Sequence, residues 1–430
     1  MSTQQQGLTR RAALAGIGGL AAAAQVGGLP FAGTAAARQP NQRPPDKAIP
    51  MRGKAGPGLE PVDEAMLRIM DRHGLPGAGF AAAKDGRLIF AKGYGWANYG
   101  SGDPAGPDTL FGLASLSKPI TAAAVLLLID QGKLGLDDKV LDYLKHLPPP
   151  EGTKIDPRFT AVTVRHCLNH SGGWDRDTSG DPTDWEPLFC RTFQVRAPIS
   201  SKQFVSYMQA MRVDFDPGTE QKYSNVGYII LGEVIAKVSG QAYDRFVIDH
   251  VLKPMGIKRA GLHALDGKYT TGEAIRYLAG AMVPLPPVDL PLVAAAGGWS
   301  ATVVDMIRFL TNLDGSRGKP VLSEKARKLM IELPSKPLKP RENGTYFGLG
   351  WDSVIVADNT FGYFKDGSYF GIRTFMKRLP TGLNWVLCYN ASMNMDPTDV
   401  QIASSCVQEL RQALEKIEKH PDVDLFKEFE

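Results

Sequence analysis

Cysteine is scarce, with four in 430 residues, at 167, 190, 388 and 406. None forms a Cys-x-x-Cys pair, no His-Glu-x-x-His stands anywhere, and the seven histidines are scattered, so no metal site is expected. No stretch after residue 60 reaches about 18 uninterrupted apolar residues, so the body should hold no membrane span. Charge of one sign is also lacking. The first sixty residues sum to +5 and residues 61–430 to −1, which gives the net charge of +4. A near-neutral body gives no electrostatic reason for nucleic-acid binding. No collagen-like period and no internal repeat is present. What remains is 43% apolar and 22% charged, enough to bury a large core.

The first forty residues look like an address. A polar start, then Thr9-Arg10-Arg11, an Ala/Gly/Leu run over 12–32 and Ala35-Ala36-Ala37 read as a twin-arginine-type export signal over 1–37. The alternative is an uncleaved membrane anchor. The Gly and Ala content makes the run weakly hydrophobic for that role. Residues 38–60 are rich in Pro, Gly and basic residues and read as a linker. The expected location is therefore periplasmic or extracellular. Buried free thiols are the expectation for Cys388 and Cys406. Cys167 and Cys190 are candidates for a disulfide after export.

The body, 61–430, starts with an amphipathic helix over Val62–His73 that Gly74 stops. Asp85-Gly86 between Gly79–Ala83 and Arg87–Tyr94 predicts a hairpin. Ile120–Asp130 is apolar on every side, as in a helix at the centre of a domain. A second such helix spans Val226–Val238, ended by Gly240. A second hairpin joins Arg373–Arg378 to Asn384–Tyr389. A last helix opens at Thr398, with Ala403, Val407, Leu410, Leu414 and Ile417 on one stripe. The predicted fold is α/β of the α+β type. An antiparallel sheet built from both chain ends is covered by the terminal helices, and a mostly helical lobe spans roughly 111–300. The polar stretch Trp174–Ser200 is long for a loop and is expected to wall a cleft between the lobes, with Trp174, Trp185 and Trp299 as possible lining.

Three short motifs carry chemistry: Ser115-Leu116-Ser117-Lys118 before the buried helix, Tyr223-Ser224-Asn225 before the second, and Lys365-Asp366-Gly367 leading into the strand Arg373–Arg378. Lys84-Asp85-Gly86 repeats the last tripeptide in a plain hairpin turn, so order and placement matter more than the letters. Ser115 and Lys118, three apart, share one side of a helical turn. A serine hydroxyl needs a base, and a lysine whose pKa is depressed by burial and nearby cations supplies one. Tyr223 can relay the proton as a phenolate. Asn225 offers an amide to Lys118 and to a substrate carbonyl. Lys365 brings positive charge for the phenolate or a substrate carboxylate. Gly367 lets substrate lie against the strand, and the N–H groups of Ser115 and Ser368 form an oxyanion hole. Arg373 is a candidate aid to carboxylate binding, and His170, in a Ser/Gly-rich loop, reads as structural.

These motifs resemble those of the serine β-lactamase and penicillin-binding-protein family, in its class C branch, which includes D-Ala-D-Ala carboxypeptidases and esterases. Leu110–Ser115, Val164–Gly173, Asp216-Pro217-Gly218, Gly227–Gly232, Pro254-Met255-Gly256 and Gly297-Gly298-Trp299-Ser300 are similar to that family's blocks, so the resemblance runs from about Pro61 to Ala413. It implies Ser115 as nucleophile, Lys118 with Tyr223 as the acid/base pair, and no cofactor. The third motif departs from Lys-Thr-Gly: a substrate-binding hydroxyl is missing, and Asp366 stands beside Lys365. Both changes argue against a dedicated β-lactamase. The expectation is an exported serine hydrolase of small carboxylic esters. The alternatives are a D-Ala-D-Ala carboxypeptidase, D-amino-acid amidase or weak β-lactamase, or a sensor that is acylated without turnover.

Overall fold

The structure, a computed structural model, describes residues 48–263, 268–280, 282–287, 291–357, 360–394 and 396–430. The segment read as an export signal, 1–37, lies outside the described residues, as does the start of the linker. The rest of that linker is not a simple tether: Met51–Ala55 is a strand, β1, at the edge of the main sheet, and helix α1 (Glu60–His73) already begins at its last residue. The basic residues that suggested a tether, Arg52 and Lys54, sit exposed on this edge strand, where charge also discourages pairing with other chains.

The main sheet is antiparallel and built from both ends of the chain. From the N-terminal side come β2 (Gly77–Lys84) and β3 (Arg87–Asn98). From the C-terminal side come β4 (Ser353–Ala357), β5 (Thr360–Tyr369), β6 (Ile372–Arg378) and β7 (Leu383–Tyr389). The order across the sheet is β1-β3-β2-β7-β6-β5-β4. Asp85 and Gly86 both take positive φ, 49° and 77°, as a two-residue hairpin turn of matching twist requires. The third motif does not lead into a strand as expected. It lies inside β5, paired residue by residue with β6, with Gly367 opposite Thr374 and Ser368 opposite Arg373.

Strand alternation divides the core. Phe80, Trp385, Leu387 and Tyr389 point to one face, where they pack with Val62, Met66 and Ile69 of α1 and with Ala403, Cys406 and Leu410 of the last helix, Pro397–Glu415. Ala81, Ala83, Val386 and Cys388 point to the other face, against the helical lobe. At the centre of that lobe stand α2 (Ser117–Asp130) and α3 (Val226–Ser239), each buried along most of its length. Helices without a polar face are stable only when neighbours surround them, so these two are held rigidly. The three motifs meet where the N-termini of α2 and α3 face β5.

All four cysteines are free, and Cys167 is fully buried in the lobe core, so the Cys167–Cys190 disulfide is not formed. Trp174 and Trp299 are also core residues rather than cleft lining. No helix among the described residues is long and apolar enough to cross a membrane.

Candidate active site

Ser115 sits in a tight turn, Ala114–Leu116, that runs directly into α2. Ala114 is held at φ 45°, a conformation that costs an alanine energy and persists only where its surroundings fix it. The fixing contacts come from β5 and β6. Thr374 Oγ1 donates to Leu113 O at 2.8 Å. At Gly367, a Cβ would fall 2.5 Å from Thr374 Oγ1, 2.6 Å from Leu113 O and 2.9 Å from Ser115 N. The space a side chain would need at Gly367 is therefore taken by the Ser115 turn and Thr374. Glycine is needed so that the strand can press against that turn.

Ser115 Oγ lies 2.6 Å from Tyr223 Oη and 3.1 Å from Lys118 Nζ. Lys118 is completely buried. Its Nζ also donates to Asn225 Oδ1 at 2.7 Å and to Ala296 O at 2.8 Å. Those two partners only accept, whereas the Ser115 hydroxyl does either. Burial, then the nearby Lys365 charge, push the Lys118 pKa well below the usual lysine range. A neutral amine satisfies the geometry: two N–H donors go to Asn225 and Ala296, and the lone pair faces Ser115.

Tyr223 differs from its expected state. Burial raises its pKa, although Lys365 and the hydrogen bond with Ser115 oppose the rise. The ring lies 4.8 Å from Lys365 Nζ, 5.0 Å from Lys118 Nζ and 4.6 Å from the Arg176 guanidinium. These cations do not overcome desolvation, so the surroundings favour the phenol over the phenolate read from sequence. Either hydroxyl can donate in the Ser115–Tyr223 contact, so protons can pass along the line Tyr223–Ser115–Lys118. The His170 ring lies 4.7 Å from the Tyr223 ring, tilted by 31°, and its Nδ1 accepts from Ser224 N.

Lys365 is buried and already paired, 2.5 Å from Asp352 Oδ1. Asp366, on the other face of β5, pairs with Arg373 at 2.9 Å. Burial and the neighbouring Asp352 push the Asp366 pKa up to about 6. Arg373 also lies 4.0 Å from Asp399. The cations that would hold a substrate carboxylate thus have carboxylates of their own. Ser368 lines the cleft, with its Oγ 3.3 Å from Ser392 Oγ. The cleft has a volume of about 680 Å³ and is walled on one side by Arg176, Asp177, Asp181 and Asp184. They come from the segment Trp174–Ser200, as expected of it, although it forms short helices rather than an irregular loop. Among the described residues no group of three or more His, Cys, Asp or Glu could hold a metal ion.

The structure thus brings Ser115, Lys118, Tyr223, Asn225, Lys365, Gly367 and Ser368 to one place. Sequence reasoning missed Asp352, Arg176, Asp181 and the Ala296 carbonyl. Only Ala296 had a signal, since it adjoins the glycine pair 297–298.

The family model for Beta-lactamase matches residues 62–383. Penicillin-binding protein 4* of Bacillus subtilis (strain 168) is 31% identical over 184 residues, which is 42% of this chain and 37% of that protein. Esterase EstB of Burkholderia gladioli is 30% identical over 239 residues, 52% of this chain and 58% of that protein. The chain therefore spans less than two thirds of the length of these relatives. Among solved structures, D-amino acid amidase from Ochrobactrum anthropi SV3 superposes with a TM-score of 0.65 at 22% identity, covering 83% of this chain and 99% of that one. At that identity the likeness shows the fold alone. With the family match covering most of the sequence, the chain belongs to the Beta-lactamase family of serine hydrolases.

Proposed function

We propose that the protein is an exported hydrolase that cleaves small, uncharged carboxylic esters through an acyl-enzyme. The observation that carries the reading is the placement of Ser115 Oγ between a buried phenol and a buried lysine, at 2.6 and 3.1 Å, beside a cleft in which Lys365 and Arg373 are each paired with a carboxylate. In this mechanism Ser115 passes its proton to Lys118 as Oγ attacks the carbonyl carbon. The backbone N–H groups of Ser115 and Ser368 receive the oxyanion. Tyr223, a phenol at rest, delivers a proton to the leaving alkoxide and is recharged from Lys118. Water then enters by the reverse route, and the acid leaves. The segment 1–37 serves as the export signal.

Esters are favoured because Lys365 and Arg373, the charges suited to a carboxylate, are occupied by Asp352, Asp366 and Asp399. A second reading rests on the carboxylates Asp177 and Asp184 at the rim, which suit the ammonium group of a D-amino-acid amide. Turnover of p-nitrophenyl esters, D-amino-acid amides, a D-Ala-D-Ala peptide and nitrocefin separates these. Ester turnover beyond one equivalent of product supports the proposal. Turnover confined to amides or peptides overturns it in favour of the second reading or a carboxypeptidase. A single burst without turnover would mark a sensor.

A further inference from the structure

Asn225 holds Lys118 through one end of its side-chain amide, and an amide can be turned end for end. Its orientation is set by a residue outside the three motifs. Asp181 Oδ2 accepts from Asn225 Nδ2 at 2.7 Å. The other oxygen, Oδ1, accepts from Thr183 N at 3.0 Å and Thr183 Oγ1 at 2.7 Å, which caps the short turn Pro182–Asp184. Both carboxylate oxygens therefore act as acceptors. The segment carrying Asp181 is itself tied down, with Asp175 N donating to Asp214 Oδ2 at 2.8 Å and Ile199 N to Glu186 Oε1 at 3.0 Å. Asn225 stands at the start of α3, but its side chain caps no helical N–H, so the amide is free for these two contacts.

We propose that Asp181 is a positioning residue that fixes the Asn225 amide with its oxygen towards Lys118, and so keeps the Lys118 lone pair available to Ser115. The inference rests on reading the cleft as a serine-hydrolase site. A reversed Asn225 would point an N–H at Lys118 Nζ. A neutral amine receives that bond only through its lone pair, the one that must take the Ser115 proton. Asparagine at 181 cannot replace the carboxylate. With its oxygen kept on Thr183 N, its NH2 faces Asn225 and forces the reversal.

The test uses the whole protein with a p-nitrophenyl ester and a fluorophosphonate. Asp181→Asn should lower kcat and the Ser115 labelling rate about 30- to 100-fold, the scale of a misplaced catalytic group, with KM changed less than about threefold. In an Asn225→Ala background the same substitution should cost almost nothing, because the amide it orients is gone. Equal losses in both backgrounds, or no loss in the first, would overturn the proposal.

A second readout does not need turnover. The groups that face Lys118 are Lys365, Arg176, Asp352, Asp181, Tyr223, Tyr228 and His170. The Asp181 charge opposes the depression of the Lys118 pKa. Its removal should move the Lys118 titration, followed by the 13Cε resonance, to lower pH. Coincident titrations in wild type and Asp181→Asn would also overturn the proposal. If wild type were never labelled at Ser115, the hydrolase reading would fail, while this titration would still decide the Asp181 contact.

Discussion

Asp352 Oδ1 lies 2.5 Å from Lys365 Nζ, and this pair neutralises a lysine that has no exposure to solvent. Asp352 is 13 residues from Lys365 in sequence and belongs to none of the three motifs. Removal of one partner leaves an uncompensated buried charge, which costs about 3–5 kcal/mol. Asp352→Ala should therefore lower Tm strongly. It should also move the acid limb of kcat/KM to lower pH, because Asp352 raises the Lys118 pKa and Lys365 lowers it. A variant as stable as wild type with an unmoved limb would contradict this account.

The nucleophile assignment predicts that Ser115→Ala loses at least about three orders of magnitude in turnover. Intact-mass measurement should show one fluorophosphonate adduct on wild type and none on the variant. Tyr223→Phe should keep the adduct but slow both its formation and its hydrolysis, since it removes the phenol that donates to Ser115 and the leaving group. Labelling that survives in Ser115→Ala would refute the assignment.

Activity should rise with pH as Lys118 loses its proton, at a pH below the ordinary lysine range, because burial and Lys365 depress its pKa. No limb should track a histidine: His170 is held neutral by burial and faces Ser224 with its Nδ1. Folded His170→Ala should keep turnover within about tenfold and retain the same limb. A pH–rate profile for each protein checks this, and loss of the limb in His170→Ala would make the imidazole the base.

Asp366→Thr rewrites the third motif as Lys-Thr-Gly and releases Arg373 from one of its carboxylates. A cation freed in a partly solvated cleft contributes about 1 kcal/mol to an anionic substrate, or about fivefold. The ratio of kcat/KM for matched carboxylate and neutral esters should rise by about that factor. Wild type should favour the neutral ester or treat both alike. A hundredfold wild-type preference for the carboxylate would instead support the peptidase reading.

Gly367→Ala should cost at least about a hundredfold in kcat and several degrees in Tm. Its Cβ would fall within 3 Å of Thr374 Oγ1, Leu113 O and Ser115 N, so the strand or the nucleophile turn must move. Kinetics and thermal unfolding of the variant read both effects. Unchanged kcat would show that the turn tolerates the displacement.

Much of the fold was legible because local rules fixed it. Asp85-Gly86 specified a hairpin through its need for positive φ. The uninterrupted apolar pattern of Ile120–Asp130 specified a central helix, and Gly74 and Gly240 specified the ends of two others. The spacing of Ser115 and Lys118 is a property of one helical turn, so that pair could be read directly. β1 was missed because an exposed edge strand carries no apolar alternation and its basic residues imitate a linker. The third motif was misplaced because a strand containing Lys-Asp-Gly looks, in sequence, like a turn.

The sequence by itself determined which residues could act: a serine with a lysine one turn away, a tyrosine and an asparagine at a second helix start, and a lysine and glycine ahead of a late strand. Only the tertiary structure decided their states. Whether Tyr223 rests as phenol or phenolate, whether Lys365 is free or paired, and which end of Asn225 meets Lys118 depend on Asp352 and Asp181, which reach the site through folds of the chain. Charge, burial and hydrogen-bond direction depend on distance through space. Neither carboxylate carries a sequence signal, because the contact that gives each its role forms only when the segment around 181 and the edge of the sheet close over the two buried helices.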